Sequence, residues 1–261
     1  MQSDEYLFEP VKSGSVVDSV TQQIEDLIIS GVLKEGAKLP SEREIAEVME
    51  VSRPKVREAL KRLEENQLIL IRHGEGSFIA PLMNDAMTPA LINLIARNKS
   101  VFFDYLEYRK EQEGLAAQLA AERATRLDRQ RIEFYLNKLQ YAHENGDTEV
   151  SKEADIGFHS AIVDASHNVL LVHVMTSIYE LTRKGVFYSR DFLRSIDGTG
   201  EKLLQQHQEI GAAILDRDPV KAKAAALAHL NFVENSFRLW RAQIKREHIS
   251  SKRLASLNSQ E

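Results

Sequence analysis

Residues 39–80 of the 261-residue chain read LPSEREIAEVMEVSRPKVREALKRLEENQLILIRHGEGSFIA, and this stretch decides the fold of the N-terminal part. Ser41 followed three residues later by Glu44 is the pattern of a capping box, which predicts the start of a helix. Ser52 is the predicted N-cap of a second helix. Pro54 fits the first turn of that helix, because it has no backbone N–H to leave unpaired. Two short helices joined by a tight turn are typical of a helix-turn-helix.

A hairpin is predicted directly after the second helix. Residues 68–71 and 77–80 are short β-prone runs, and the segment between them, RHGEG, contains glycines that allow a tight tip. Residues 16–29 place apolar side chains at helical spacing, so a further helix precedes the pair. This order of helix, capped helix, basic-tipped helix and hairpin predicts a winged helix-turn-helix over residues 10–80.

The charge of the chain gives no general support for DNA binding. The net charge is −5, and residues 1–80 hold 10 Lys and Arg against 15 Asp and Glu. The positive charge is concentrated between Arg53 and Arg62, where five basic side chains accompany one acidic side chain. Local clustering on one face, and not the total charge, therefore has to supply the attraction for DNA.

Composition excludes several kinds of site. The chain has no Cys, which excludes disulfides, thiolate catalysis and thiolate metal ligands within it. No apolar run reaches the length needed to span a bilayer, and the N-terminal residues lack a signal-peptide pattern. We therefore expect a cytoplasmic protein with no membrane partner.

The second helix of the pair carries the predicted DNA contacts. Arg53, Lys55 and Arg57 lie at or near its N-terminus, which is the end of a recognition helix that meets base edges. Arg can bridge guanine O6 and N7, whereas Ser52, Lys55 and Arg72 are better suited to phosphate oxygens.

The quoted stretch resembles the GntR family of bacterial regulators across the whole predicted DNA-binding domain. The resemblance implies that Arg43, Arg53 and Arg57 contact operator DNA, and that His73-Gly74 of the wing enters the minor groove. Arg43 could instead pair with Glu47 one helical turn later, but the family places it at the DNA. The predicted DNA-binding residues are Arg43, Ser52, Arg53, Lys55, Arg57, Arg72, His73 and Gly74.

The C-terminal part is predicted to be an all-helical antiparallel bundle, so the fold class is mainly α. Residues 81–89 contain two prolines and indicate a linker, residues 90–246 show helical periodicity, and residues 247–261 are polar and indicate a flexible tail. The predicted helices lie near residues 90–97, 101–125, 128–145, 149–165, 169–190, 200–216 and 219–246.

Polar residues at otherwise apolar positions point to a candidate metal site. Asp155 and His159 are four residues apart and face the same side of one helix. His207 and His229 lie in later helices, each beside apolar residues. One carboxylate and three imidazoles would suit a divalent ion such as Zn²⁺, Mn²⁺ or Ni²⁺. On the residues alone, the alternative that the histidines are isolated core or surface groups stays open.

The same part resembles the FCD effector domain of the FadR subfamily within the GntR family. This resemblance implies that Asp155, His159, His207 and His229 together hold a divalent metal ion. It also implies that Arg109 faces the effector cavity, where its guanidinium could hold a carboxylate with two hydrogen bonds. The other interpretation of Arg109 is an ion pair on the helix surface with the residue four positions later, Glu113.

The resemblance predicts a metabolite-responsive transcription regulator and not an enzyme. Within the subfamily, the chain resembles the branch of the pyruvate dehydrogenase complex repressor and the L-lactate regulators, which implies an effector such as lactate, pyruvate or glycolate. We expect a homodimeric repressor on a pseudo-palindromic double-stranded operator, because a two-fold protein matches a two-fold site. Two alternatives stay open: an acyl-CoA-responsive regulator, and a metal-dependent hydrolase that activates a bound water.

Overall fold

The computed structural model describes residues 15–82, 101–183 and 199–258, together with the isolated positions 94 and 97. The chain divides into two compact units, of which the first runs from Met1 to Thr88 and the second from Pro89 to Glu261. Each unit has its own helices and its own buried core, so each is described by itself.

Within residues 15–82, the N-terminal unit contains three helices and a hairpin. Its elements are α1 (Val16–Ile29), α2 (Glu42–Val48), α3 (Arg53–Glu65), β1 (Ile69–Arg72) and β2 (Gly76–Ile79). The two strands pair antiparallel, with Ile69 opposite Ile79 and Arg72 opposite Gly76. The predicted helices and hairpin are therefore present, and the strands are shifted by one residue from the predicted runs. This is a winged helix-turn-helix.

Local sequence signals explain where these helices begin. Ser41 and Glu44 form the predicted capping box at the start of α2, in which each side chain accepts a hydrogen bond from the other residue's backbone N–H. Residues at left-handed backbone angles follow α2 and α3, namely Glu50 and Gln67. The apolar faces of all three helices and of the hairpin share one core, which includes the fully buried residues Val20, Ile24, Ile45, Met49, Val56, Leu63 and Ile69.

The C-terminal unit is helical throughout its described residues. Its elements are α4 (Val101–Arg123), α5 (Arg126–Glu144), α6 (Thr148–Ala165), α7 (Val169–Arg183), α8 (Thr199–Leu215) and α9 (Pro219–Asn258). Helix α4 packs against α9, α6 and α8, while α5 packs against α6 and α8. The all-helical bundle predicted from the sequence is confirmed.

Two glycines allow α5 to lie close to its neighbours. A Cβ atom added at Gly157 of α6 would lie 2.1 Å from the Tyr135 ring, and one added at Gly211 of α8 would lie 2.4 Å from Leu136. A side chain at either position would clash with α5 unless Tyr135 or Leu136 moved, because packed interiors have little room to give. The close approach brings α6 and α8, which carry candidate metal ligands, to the same side of the bundle.

The last helix is longer than predicted. The sequence predicted its end at residue 246 and a flexible tail from 247, but helix α9 continues to Asn258, and residues 247–254 are exposed. No Gly or Pro occurs after Pro219 to stop it, and polarity alone does not end a helix. Most of the predicted helix 90–97, the linker residues 83–89 and the predicted helical residues 184–190 lie outside the described residues.

No helix in the part of the chain that the structure describes combines the length and apolar character needed to cross a membrane.

Candidate functional site

The N-terminal turns of α3 form the centre of the candidate DNA interface. Ser52, Arg53, Lys55 and Arg57 are all exposed there, while the opposite face of the helix is buried. Ser52 is the N-cap by position, but its side chain makes no capping hydrogen bond. The first backbone N–H groups of α3 are therefore not satisfied by that hydroxyl, and such a helix end attracts phosphate.

Arg57 is held by a carboxylate of the preceding helix. Its Nε donates to Glu42 Oε1 over 3.0 Å and its Nη2 donates to Glu42 Oε2 over 2.7 Å. This hydrogen-bonded pair lowers the pKa of Glu42 and raises the pKa of Arg57. The Arg53 charge also lowers the pKa of Glu42, so both basic residues influence this one carboxylate. Sequence reasoning missed Glu42, because a contact between two different helices leaves no spacing signal.

Two other residues predicted to contact DNA, Arg43 and Lys55, form weaker ion pairs with exposed acidic side chains. Arg43 Nε lies 3.9 Å from Glu47 Oε1, and both side chains are about two-thirds exposed or more. Lys55 Nζ lies 3.0 Å from Glu58 Oε2. Exposed ion pairs of this kind contribute little to stability, so the basic side chain can easily exchange its carboxylate partner for another anion. The surface pairing that competed with the DNA role of Arg43 is thus present but weak.

The wing presents its predicted residues at an exposed tip. Arg72, His73 and Gly74 are exposed, and Gly74 has a φ of 80°, which favours glycine at the turn. The Arg72 guanidinium lies 4.6 Å from the centre of the Phe78 ring, and Lys38 Nζ approaches the same ring at 5.9 Å. Lys38 is a basic neighbour of the wing that sequence reasoning did not single out.

In the C-terminal unit, three buried histidines from three helices meet. Potential ligand atoms of His159 in α6, His207 in α8 and His229 in α9 all lie within 4.8 Å of one another. His207 Nε2 is 3.3 Å from His159 Nε2, so two imidazole nitrogens face each other in the interior. Burial and the two neighbouring imidazoles hold the pKa of His229 well below its usual value, which keeps this ring neutral.

Asp155 completes the predicted set. Its Oδ1 lies 3.1 Å from His207 Nε2 and 3.7 Å from His159 Nε2. The structure therefore brings together all four residues that the sequence proposed as metal ligands. The three imidazoles lie within reach of one ion, and the Asp155 carboxylate adjoins two of them, which together supply the nitrogen and oxygen donors that a divalent ion uses.

Outer hydrogen bonds orient two of these histidines. His159 Nδ1 lies 2.8 Å from Glu113 Oε2, and His229 Nδ1 lies 3.2 Å from the side-chain oxygen of Gln206. An oxygen partner at Nδ1 favours a proton on that nitrogen, which leaves Nε2 unprotonated and able to bind a metal ion. Sequence reasoning did not identify Glu113 or Gln206 in this role.

Arg109 and Glu113 form a buried ion pair beside the histidines. Arg109 Nε donates to Glu113 Oε1 over 2.6 Å, and both residues are less than a tenth exposed. Although burial alone would raise it, the Arg109 charge and the contact with the His159 imidazole bring the pKa of Glu113 down to about 2. The i, i+4 pairing expected from the sequence is present, but it lies in the interior and not on the helix surface.

A small cavity joins these groups. Measured with its opening to solvent, it has a volume of about 410 Å³. Its polar lining comes from Arg109, Asp155, His159, Tyr179, Thr182 and His229, and its apolar lining comes from Ile156, Leu203, Leu230 and Val233. A cavity with a guanidinium, candidate metal ligands and a few aliphatic side chains suits a small anion with a short alkyl part.

Two family models match the chain, one in each unit. Residues 16–79 match the model described as bacterial regulatory proteins, gntR family, and residues 104–232 match the FCD domain.

Known proteins resemble the chain over most of its length. A regulatory protein of Escherichia coli (strain K12) named for the L-lactate dehydrogenase operon is 33% identical over 225 residues, which cover 85% of this chain and 86% of that protein. The Glc operon transcriptional activator of the same strain is 35% identical over 225 residues, covering 85% and 88%. The solved structure of Streptococcus agalactiae GntR has a TM-score of 0.50 at 26% identity and covers 84% of this chain and 99% of that one.

These relatives are transcription regulators and not enzymes. With a winged helix-turn-helix at residues 16–79 and an FCD domain at residues 104–232, the chain belongs to the gntR family of bacterial regulatory proteins.

Proposed function

We propose that the chain is a metabolite-responsive repressor whose FCD domain binds a divalent metal ion together with a small carboxylate such as lactate, pyruvate or glycolate. The observation that carries this proposal is the convergence of Asp155, His159, His207 and His229 in the interior. The name of the L-lactate operon relative supports the effector class.

The residues present fit a metal ion better than they fit an apolar core. Buried imidazole nitrogens and a buried carboxylate need polar partners, and a metal ion bound between them would be such a partner for all of them at once. Glu113 and Gln206 hold His159 and His229 in the orientation that a ligand needs, which is the usual arrangement around metal-bound histidines. A bound Zn²⁺, Mn²⁺ or Ni²⁺ would supply positive charge and open positions for an anionic ligand.

Arg109 is the proposed partner for the remaining charge of the effector. It lines the cavity, it is buried, and Glu113 raises its pKa in spite of the burial, so its positive charge is retained. A guanidinium can share its donors between Glu113 and a second carboxylate, because it carries five N–H groups.

The cavity and the relatives argue against one alternative each. The polar lining of the cavity favours a small carboxylate over the long apolar chain of an acyl-CoA thioester. A metal-dependent hydrolase is disfavoured because the relatives of the whole chain are regulators.

The DNA-binding residues proposed for the N-terminal unit are those on α2, on the first turns of α3 and on the wing. Arg43, Arg53 and Arg57 would meet the operator, Ser52, Lys55 and Arg72 would meet phosphates, and His73-Gly74 would enter the minor groove. We propose a cytoplasmic homodimer on a pseudo-palindromic operator, in which the effector changes the affinity for DNA by favouring one conformation.

The test measures metal content and operator binding of the full-length protein. We expect wild-type protein supplemented with Zn²⁺, Mn²⁺ or Ni²⁺ to retain about one ion per chain. The variant His159→Ala should lose the ion and the response to lactate, while its operator binding without lactate stays. The exposed His248→Ala is the matched control and should behave as wild type. A wild-type protein that retains no metal after supplementation would contradict the proposal.

A further inference from the structure

The Tyr179 hydroxyl is a buried polar group without a well-aligned hydrogen bond among the described residues. Tyr179 lies on α7, is 4% exposed, and lines the same cavity as His159 and Arg109. Among the residues that the structure describes, no group forms a well-aligned hydrogen bond with its hydroxyl, although the Glu113 carboxylate lies close enough to raise its pKa. A buried hydroxyl in this state is unfavourable, so a group that arrives in the cavity and pairs with it is stabilised.

The other hydroxyls beside Tyr179 are already engaged. Tyr105 and Thr182 hydrogen-bond to each other through their side-chain oxygens, and Arg109 Nη1 donates to the Tyr105 hydroxyl over 3.5 Å. The Arg109 guanidinium carbon lies 5.5 Å from the centre of the Tyr179 ring. Tyr179 thus stands next to the proposed carboxylate partner and differs from its neighbours in having no well-aligned hydrogen bond within the described part of the chain.

The Tyr179 side chain is in its neutral, donating form. Burial, followed by the negative charge of Glu113, raises its pKa well above the ordinary value for a phenol. The hydroxyl can therefore donate to an acceptor oxygen but does not offer a negative charge.

We infer that the Tyr179 hydroxyl donates a hydrogen bond to a second oxygen that the effector carries beside its carboxylate. This inference rests on the proposed function, in which the carboxylate oxygens are taken by Arg109 and the metal ion. One additional donor then selects 2-hydroxy and 2-oxo acids over plain carboxylates of the same length. The aliphatic residues of the lining, Ile156, Leu203, Leu230 and Val233, supply apolar surface for a short alkyl group.

The experiment compares L-lactate with propionate, which has the same carbon skeleton but no second oxygen. Calorimetric titration of full-length, metal-loaded wild-type protein should show tighter binding of lactate. The variant Tyr179→Phe should bind lactate about tenfold more weakly, as expected for the loss of one hydrogen bond, and should bind propionate as the wild type does. The ratio of lactate affinity to propionate affinity should therefore fall about tenfold.

A matched control removes a different phenol from the same cluster. Tyr105→Phe deletes a buried hydroxyl that contacts Thr182 and Arg109 but is not part of the cavity lining. Its thermal stability should fall while the ratio of lactate to propionate affinity stays close to that of the wild type. Metal content, measured for each variant, shows whether the ligand set is still intact.

Two results would overturn the role of Tyr179 while leaving the proposed function in place. One is an unchanged affinity ratio in Tyr179→Phe, and the other is an equal loss for lactate and propionate, which would mean that the phenol only shapes the cavity. A metal-loaded wild-type protein that binds neither compound would instead overturn the proposed function, and the inference about Tyr179 with it.

Discussion

Glu42 and Arg57 join helices α2 and α3 through two parallel hydrogen bonds, at 3.0 and 2.7 Å, on the surface proposed to meet DNA. The pair fixes the direction of one arginine and places a negative charge where phosphates would approach. The fixed direction of Arg57 and the negative charge of Glu42 both reduce attraction to DNA of any sequence. The two hydrogen bonds also favour one orientation of the Arg57 guanidinium.

Replacement of Glu42 should therefore relax the preference for the operator. We expect Glu42→Gln to bind non-operator DNA several-fold more tightly at low salt, and to steepen the dependence of log K on log salt by about one unit. Fluorescence anisotropy with mixed-sequence DNA and with an operator selected from a random library measures both. Glu65→Gln, which removes the partner of Lys61 at the other end of α3, should change neither. Equal results for the two variants would rule out a local role of Glu42.

Arg53 should carry sequence-specific binding. Arg53→Ala is expected to weaken binding to the selected operator by about 1–3 kcal/mol, if the guanidinium makes two hydrogen bonds to guanine. Binding to mixed-sequence DNA should fall much less, because phosphate contacts remain. The control Arg62→Ala removes an exposed arginine from the last turn of the same helix, where it pairs with Asp18. Unchanged operator binding by Arg53→Ala would show that the recognition surface lies elsewhere.

Glu113 should act through the histidine that it orients. Glu113→Gln retains an oxygen for His159 Nδ1 but removes the charge that balances Arg109, so metal affinity is expected to fall about 10–100-fold. The folded state should also lose stability, because Arg109 is left as an unbalanced buried charge. Competition with a chelator and thermal unfolding measure the two effects. Glu111→Gln, exposed on the same helix, is the control. A wild-type metal affinity in Glu113→Gln would show that Glu113 serves only to neutralise Arg109.

The start of α5 offers a test of stability with a defined pH dependence. Thr125 and Asp128 form a capping box, and Asp128 also lies 2.9 Å from His167 Nε2. Burial opposes these contacts, but the hydrogen bonds from Thr125 and His167 lower the pKa of Asp128. Asp128→Ala should reduce the free energy of unfolding by about 1 kcal/mol at neutral pH.

The same contribution should weaken in acid. A carboxyl whose pKa is lower in the folded state stabilises it above the pKa of the unfolded chain, near 3.9, and this stabilisation is lost as the pH falls through the lower folded value. The difference in unfolding free energy between wild type and Asp128→Ala should therefore be present at neutral pH and shrink below about pH 4. Glu133→Ala on the same helix should show no such difference. A gap that grows in acid would contradict this assignment.

Sequence patterns predicted the elements of the fold better than they predicted the contacts between elements. The capping box at Ser41 and the i, i+4 spacing of Asp155 and His159 are local, so helical geometry alone determines them. The meeting of His207 and His229 with them depends on how three helices pack, and only the family resemblance indicated it. For the same reason the spacing of Arg109 and Glu113 could not distinguish a surface pair from a buried one.

The carboxylate of Glu113 touches Arg109 with one oxygen and His159 with the other, and this double contact has a thermodynamic consequence. A ligand that draws the Glu113 carboxylate towards Arg109 weakens its contact with His159, and a ligand that draws it towards His159 weakens its contact with Arg109. A metal ion at His159 and an anion at Arg109 would then alter each other's affinity by the same factor, since linkage between two binding sites is reciprocal. A domain built this way would be a coincidence detector: the concentration of effector needed for a response would depend on how much metal the cell supplies.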